Sequence, residues 1–237
     1  MNKPARIPIC VVVGVGPGNG EAFVRRFVKA GYIVAMLARR IELTNRLATE
    51  LTNARPYACD VTSEESVRQT FATIKAELGV IDTIVFNAGS GVWGNIETLS
   101  VIDFESAWRV NALGLFMVAK QVVPDMKENG CGNIVVIGAT ASRRGVAGTA
   151  AFAPAKGAQR LLTESLARHL WPSGIHVSLV VVDGKIASPE LSLRASGQNA
   201  DAFIDPNSIA ETVLQLVRQQ KSAWSFEVEA RPFNEKW

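Results

Sequence analysis

The chain has 237 residues, 48% of them apolar, with 25 basic against 22 acidic side chains and a net charge of +3. So small a charge excess argues against nucleic acid as a partner, and no apolar run approaches the ~20 residues of a membrane span. The three cysteines, Cys10, Cys59 and Cys131, are odd in number and lack the spacing of a zinc or redox site. A chain of this size reads as a single domain, residues 1–237, with enough apolar side chain to fill a core on both faces of a sheet.

The first predicted strand covers residues 7–13, and glycine-rich sequence follows at once with no small-residue cleavage site. It is therefore expected to be a core strand of a cytoplasmic protein and not a secretory signal. The turn Gly14-Val15-Gly16-Pro17-Gly18-Asn19-Gly20 leads into a helical segment at 21–30. Glycines there allow a tight turn and a close approach of backbone to a pyrophosphate, while the helix aims its free N–H groups at the anion. A second strand at 32–37 ends in Ala38-Arg39-Arg40. A carboxylate at this point would hold ribose hydroxyls; Ala38 cannot, whereas the Arg39 guanidinium suits a 2′-phosphate. This implies NADP(H) in preference to NAD(H), the alternative being that Arg39 and Arg40 merely open the next helix at the surface.

The helical segment at 42–51 repeats Leu43, Leu47 and Leu51, and a short strand at 55–59 precedes Asp60-Val61. Thr62-Ser63-Glu64-Glu65 is a helix start for 63–78, a polar cap followed by acidic residues. A strand at 81–86 leads to Asn87-Ala88-Gly89, and helices are predicted at 101–127 and 150–171 around a strand at 133–137. Strands at 175–182 and 223–228 flank a helix at 206–219 that opens on Asp205-Pro206. Uniformly apolar strands alternating with helices imply an α/β fold: a Rossmann-type doubly wound parallel sheet with helices on both faces. In such sheets ligands bind beyond the carboxyl ends of the strands, where these polar residues fall.

Gly14, Gly18 and Gly20 match a Gly-x-x-x-Gly-x-Gly turn, Asp60-Val61 an adenine-contacting Asp-Val, and Phe86-Asn87-Ala88-Gly89 an Asn-Asn-Ala-Gly element. Asn111 within a long predicted helix and Lys156 match two members of a catalytic tetrad. With these the chain resembles the short-chain dehydrogenase/reductase family over almost its whole length. The resemblance implies a nicotinamide cofactor and hydride transfer between it and a small carbonyl or alcohol. It also implies that a lysine holds the nicotinamide ribose, and that a homodimer or homotetramer forms through the helices at 101–127 and 150–171. The tail carries Phe233 and Trp237, and a terminal aromatic is commonly tied down against a partner or its own core.

The remaining two tetrad positions depart from the family. In an ungapped register the serine position is Ala139 and the tyrosine position Phe152, and neither side chain can donate a proton. Hydroxyls stand nearby at Thr140, Ser142 and Thr149; Thr140 or Ser142, the latter in a loop able to bend toward the nicotinamide, either serves as a surrogate or is an ordinary loop hydroxyl, and Arg143 and Arg144 either stabilise a substrate oxygen or lie in solvent. After the sixth strand Asp183-Gly184-Lys185-Ile186 stands where the family has Pro-Gly, with Gly184 and Ile186 keeping the backbone contact and Asp183 adding a charge. Residues 187–205 resemble a substrate lid. His169 and His176 show no ligand spacing and carry no role.

The candidate cofactor set is thus Gly14, Gly16, Gly18, Asn19, Gly20, Arg39, Arg40, Asp60, Val61, Asn87, Ala88, Gly89, Lys156, Gly184 and Ile186. The candidate catalytic set is Asn111, Lys156 and Ser142, with no metal. Two functions follow from these sets. One is an NADP(H)-dependent oxidoreductase with a non-standard proton path. The other is a catalytically inactive NADP(H)-binding sensor, scaffold or partner subunit.

Overall fold

The computed structural model describes residues 6–187 and 203–234. Seven parallel strands form one sheet: β1 (Ile9–Val13), β2 (Ile33–Ala38), β3 (Ala54–Ala58), β4 (Thr83–Phe86), β5 (Gly132–Ala139), β6 (Ile175–Val182) and β9 (Glu227–Ala230), in the order β3-β2-β1-β4-β5-β6-β9. The order reverses between β1 and β4, which opens a crevice at their carboxyl ends.

The uniform apolarity of the strands is explained by two covered faces. Along β1, Ile9, Val11 and Val13 enter one core layer and Cys10 and Val12 the other. The first layer is closed by Val67, Phe71 and Ile74 of α3 (Glu64–Leu78), by α5 (Gly114–Asn129) and by α6 (Phe152–Leu170). The second is closed by Phe23 and Phe27 of α1 (Asn19–Lys29), Leu47 of α2 (Glu42–Glu50) and the apolar face of α7 (Pro206–Val217). Polar caps start two helices as their sequence implies: Ser63 accepts from the Ser66 N–H, and Asp205 accepts from Asn207 N–H ahead of Pro206.

Three segments differ from expectation. The run at 101–127 is not one regular helix but α4 (Val101–Trp108), a π turn (Arg109–Leu113) and then α5. The last strand lies at Glu227–Ala230, later than the apolar run at 223–228, because residues Lys221–Ala223 form a 3₁₀ turn and the strand alternates glutamate with small apolar residues. That alternation suits an edge strand paired only with β6. A small parallel pair, β7 (Lys185–Ile186) with β8 (Phe203–Ile204), flanks the expected lid, most of which (188–202) lies outside the described residues, as does Trp237.

Candidate active site

The turn after β1 is packed so closely at its two ends that Gly14 and Gly20 leave no room for a side chain. A Cβ on Gly14, at φ +90°, would stand 2.6 Å from both Cα and N of Ala88, and one on Gly20 would stand 2.8 Å from Cα of Val15. At Gly16 a Cβ would meet nothing within 4 Å, so this glycine borders open space. The turn is pinned from two strands: Gly14 and Val15 donate N–H groups to Leu37 O at 2.9 Å each, and the Asn87 carboxamide donates to Gly14 O at 2.8 Å.

Around this turn lies a cleft of about 410 Å³. Gly14, Gly16, Asn19, Gly20, Arg39, Arg40, Asp60, Val61, Asn87, Ala88, Gly89 and Ile186 line it, which gathers most of the residues singled out in the sequence. Arg39 and Arg40 are exposed at the end of β2. Asp60 is fixed by Thr62, whose N–H and hydroxyl donate to its carboxylate at 2.9 and 2.8 Å. Val110 also lines this cleft, from the π turn, a contribution absent from the sequence reading. Gly18 does not line it; its φ of +91° sets the start of α1, and a Cβ there would face Ala187 O at 3.5 Å.

A second cavity of about 820 Å³ continues from the first and shares Asn19, Asn87, Gly89 and Ile186 with it. Ala139 and Phe152, the positions at which the resemblance expects serine and tyrosine, both line it, with Trp93, Thr140, Lys156, Gly184, Lys185 and Phe203. Lys156 lies near the junction, where a Cβ on Gly89 would be 3.7 Å from Nζ and 3.4 Å from Asn111 Oδ1. Its ammonium donates to Ile137 O at 3.0 Å and to Gln159 Oε1 at 2.9 Å, and Gln159 Nε2 donates to Asn111 O at 3.0 Å. Burial pulls the Lys156 pKa down to about 8. Asn111 is wholly buried in the π turn, and its Nδ2 donates to Ala107 O at 2.8 Å and Ser90 O at 3.2 Å. Its Oδ1 is buried with no protein partner, the state expected of a group that accepts from a water or a ligand.

Three residues are placed otherwise than expected. Ser142 does not line the substrate cavity; it lies in a separate small hollow with Arg144 and Gly145. The cause is the 3₁₀ turn Thr140–Ser142, whose roughly three residues per turn aim successive side chains about a third of a turn apart. Thr140 therefore reaches the cavity and Ser142 points elsewhere. Arg143 lines that hollow and not the substrate cavity, and it is not a free surface arginine: it donates to Glu227 at 2.7 Å and to Glu229, both on β9. Asp183 is likewise not a bare charge. Its carboxylate accepts from the Thr140 hydroxyl and pairs with Arg231 at 2.6 Å.

Gln159, Trp93 and Lys185 are the residues missed. Gln159 had a signal, since Lys156 and Gln159 are spaced i, i+3 and share a helix face. Its partner Asn111 is remote in sequence, and nothing local reveals that half of the bridge.

The family model for short chain dehydrogenase matches residues 8–189. The chain belongs to the short-chain dehydrogenase/reductase family. It is 31% identical to the inactive 2-(S)-hydroxypropyl-CoM dehydrogenase 2 of Xanthobacter autotrophicus, over 79% of this chain and 81% of that one. It is also 31% identical to the 2-(R)-hydroxypropyl-CoM dehydrogenase of the same organism, over 90% and 84%. A metagenomic short-chain oxidoreductase in complex with NADP superposes with a TM-score of 0.83 at 26% identity, covering 96% of this chain and 98% of that one. Short-chain dehydrogenases are oxidoreductases that use a nicotinamide cofactor. No helix among the described residues is long and apolar enough to cross a membrane.

Proposed function

We propose that this short-chain dehydrogenase is NADP(H)-dependent and interconverts a small carbonyl and its alcohol by a proton path that lacks the family's tyrosine. The observation that carries the proposal is the continuity of the two cavities through Asn19, Asn87, Gly89 and Ile186, with Lys156 and Asn111 beside Gly89 and two arginines but no carboxylate at the end of β2. Arg39 takes the 2′-phosphate, with Arg40 beside it. The glycine turn with Gly14, Gly16, Gly18, Asn19 and Gly20 takes the pyrophosphate, and Asp60 with Val61 the adenine. Asn87, Ala88 and Gly89 support the middle of the dinucleotide, Lys156 the nicotinamide ribose, and Gly184 with Ile186 the carboxamide. Bound cofactor supplies or accepts the hydride.

Thr140 takes over the role expected of Ser142. Its hydroxyl donates to Asp183, so its oxygen offers a lone pair to the cavity. A substrate alcohol donates its proton to Thr140 as Thr140 passes its own to the Asp183 carboxylate; carbonyl reduction runs the same path backwards. Arg231, paired with Asp183 at 2.6 Å, fixes the position of that carboxylate beside Thr140.

A second reading, an NADP(H)-binding protein without turnover, is favoured by the simultaneous presence of Ala139 and Phe152 in the cavity wall. NADPH oxidation and NADP+ reduction over a panel of carbonyls, enones, alcohols and sugars separate the two. Turnover that falls in Thr140→Val supports the first; cofactor binding with no turnover on any member supports the second.

The chain is also expected to associate with itself as a homodimer or homotetramer. Val101, Phe104 and Trp108 recur at helical spacing on α4 and are 82%, 49% and 43% exposed, and Leu161 of the neighbouring α6 is 63% exposed. Light scattering that finds only monomer at micromolar concentration refutes this. Three unpaired cysteines suit a reducing compartment such as the cytoplasm.

A further inference from the structure

Beyond Lys156 the substrate cavity is walled by rings. Trp93 is 65% exposed, yet its position is fixed. Its ring centroid lies 5.2 Å from that of Phe152 at an interplanar angle of 35°. A Cβ on Gly91 would stand 3.2 Å from the indole Nε1, so the glycine leaves the space that the indole occupies. Phe203 contributes a further ring to the wall. A large aromatic surface held open to solvent inside a cavity marks a place for a ligand, and another ring satisfies it best, in offset or edge contact.

The same cavity is electropositive. Among the described residues Lys156 and Lys185 line it and no acidic side chain does. The nearest carboxylate noted above, on Asp183, is matched by Arg231. Lys156 is buried and already donates to Ile137 and Gln159, whereas Lys185 is exposed at the rim. Apolar walls around one sign of charge concentrate the field and favour a ligand of opposite sign.

We propose that the substrate is a planar aromatic compound bearing a carboxylate, its ring against Trp93 and Phe152 and its charge toward Lys185. This rests on the assignment of the nicotinamide end to the Lys156 junction, because that assignment makes the ringed cavity the substrate side. Rings without the cations would fit any flat apolar molecule, and the cations without the rings any small anion; the combination selects an aromatic acid.

The test uses the full chain saturated with NADPH and three calorimetric titrations. The ligands are naphthoate, its saturated counterpart decahydronaphthoate, and the neutral naphthamide. Naphthoate is expected to bind roughly two- to tenfold more tightly than the saturated acid through ring contact. It is expected to bind about two- to fivefold more tightly than the amide through an exposed ion pair. Trp93→Ala should abolish the first preference and Lys185→Gln the second. Both side chains are exposed, and NADPH fluorescence titration of each variant checks that the fold and cofactor site persist. Equal affinity for naphthoate and decahydronaphthoate overturns the aromatic half, equal affinity for naphthoate and naphthamide overturns the charge, and either result ends the proposal. Failure of wild type to bind NADPH refutes the cofactor assignment and this proposal with it. NADPH binding without saturable naphthoate binding refutes this proposal alone.

Discussion

The two halves of the cleft are built from different materials. Around Gly14–Gly20 the walls are largely backbone: Gly14 and Gly20, which admit no Cβ, strand-end carbonyls, and an Asn87 side chain that holds Gly14 O. Around Phe152 the walls are side chains: Trp93, Phe152, Phe203 and the methyl of Ala139. A site made of backbone is fixed by packing and changes only if the fold changes, whereas one made of side chains can lose its proton donors one substitution at a time. Lys156 and Asn111 stand beside Gly89, where the two halves meet, and they are anchored by bonds within the protein rather than by Phe152. The cofactor half can therefore persist with the donors of the other half gone.

The largest effect expected from this contrast comes from restoring the two hydroxyls. General acid catalysis typically contributes about 10²- to 10⁴-fold. Wild type should reduce simple ketones slowly or not at all, and Ala139→Ser/Phe152→Tyr should raise the rate by about that factor for a ketone that fits. The measurement is NADPH oxidation under saturating cofactor. A double variant that binds NADPH and gains nothing with any ketone would mean that the halves differ by more than two hydroxyls, in the shape of the ring-lined cavity itself.

Next in size is Arg39→Ala, which probes the cofactor half where it relies on a side chain. A charge-assisted contact to a 2′-phosphate is worth about 1.5–3 kcal/mol, roughly ten- to a hundredfold in affinity. NADPH should weaken by that factor while NADH changes little. Equal affinity of wild type for the two cofactors would remove Arg39 from the phosphate.

The same division decides what could be read in the sequence. Glycines required by a turn, Asp60 and Asn87 after their strands, and Lys156 were legible because strand ends converge wherever a doubly wound sheet reverses its order. The fold was legible because Ile9–Val13 and its counterparts are apolar on both faces. Contacts that depend on side-chain direction were not. Ser142 and Thr140 are two residues apart and read alike, and only the 3₁₀ turn separates their directions. The Asp183–Arg231 pair joins the end of β6 to the residue just past β9, and neither position signals the other. The π turn at Arg109–Leu113 has the apolar spacing of an ordinary helix, so the interruption became visible only in three dimensions.

The smallest effect sharpens the comparison at the residue both halves share. Burial pulls the Lys156 pKa down to about 8; among the described residues no acidic side chain lines the cavity it faces, and its ammonium donates to Ile137 O and the Gln159 carboxamide. Below that pH it is charged, and its contact with the cofactor ribose is charge-assisted; as pH rises through about 8 the charge is lost. NADPH affinity should therefore be full on the acid side and fall by about fivefold on the alkaline side, the difference of ~1 kcal/mol between a charged and a neutral donor. Folding stability of the free protein should move the other way. Its lysine gives up the proton near 8, while the unfolded chain keeps it to 10.5, so stability rises with pH between those values. Gln159→Glu places a carboxylate where Oε1 now accepts at 2.9 Å. It should hold the lysine charged and carry the fall in affinity to higher pH, while Lys156→Met should flatten the profile. A profile that keeps its midpoint in Gln159→Glu would show that another group governs the junction, and that Lys156 belongs to the packing of α6 rather than to the cofactor.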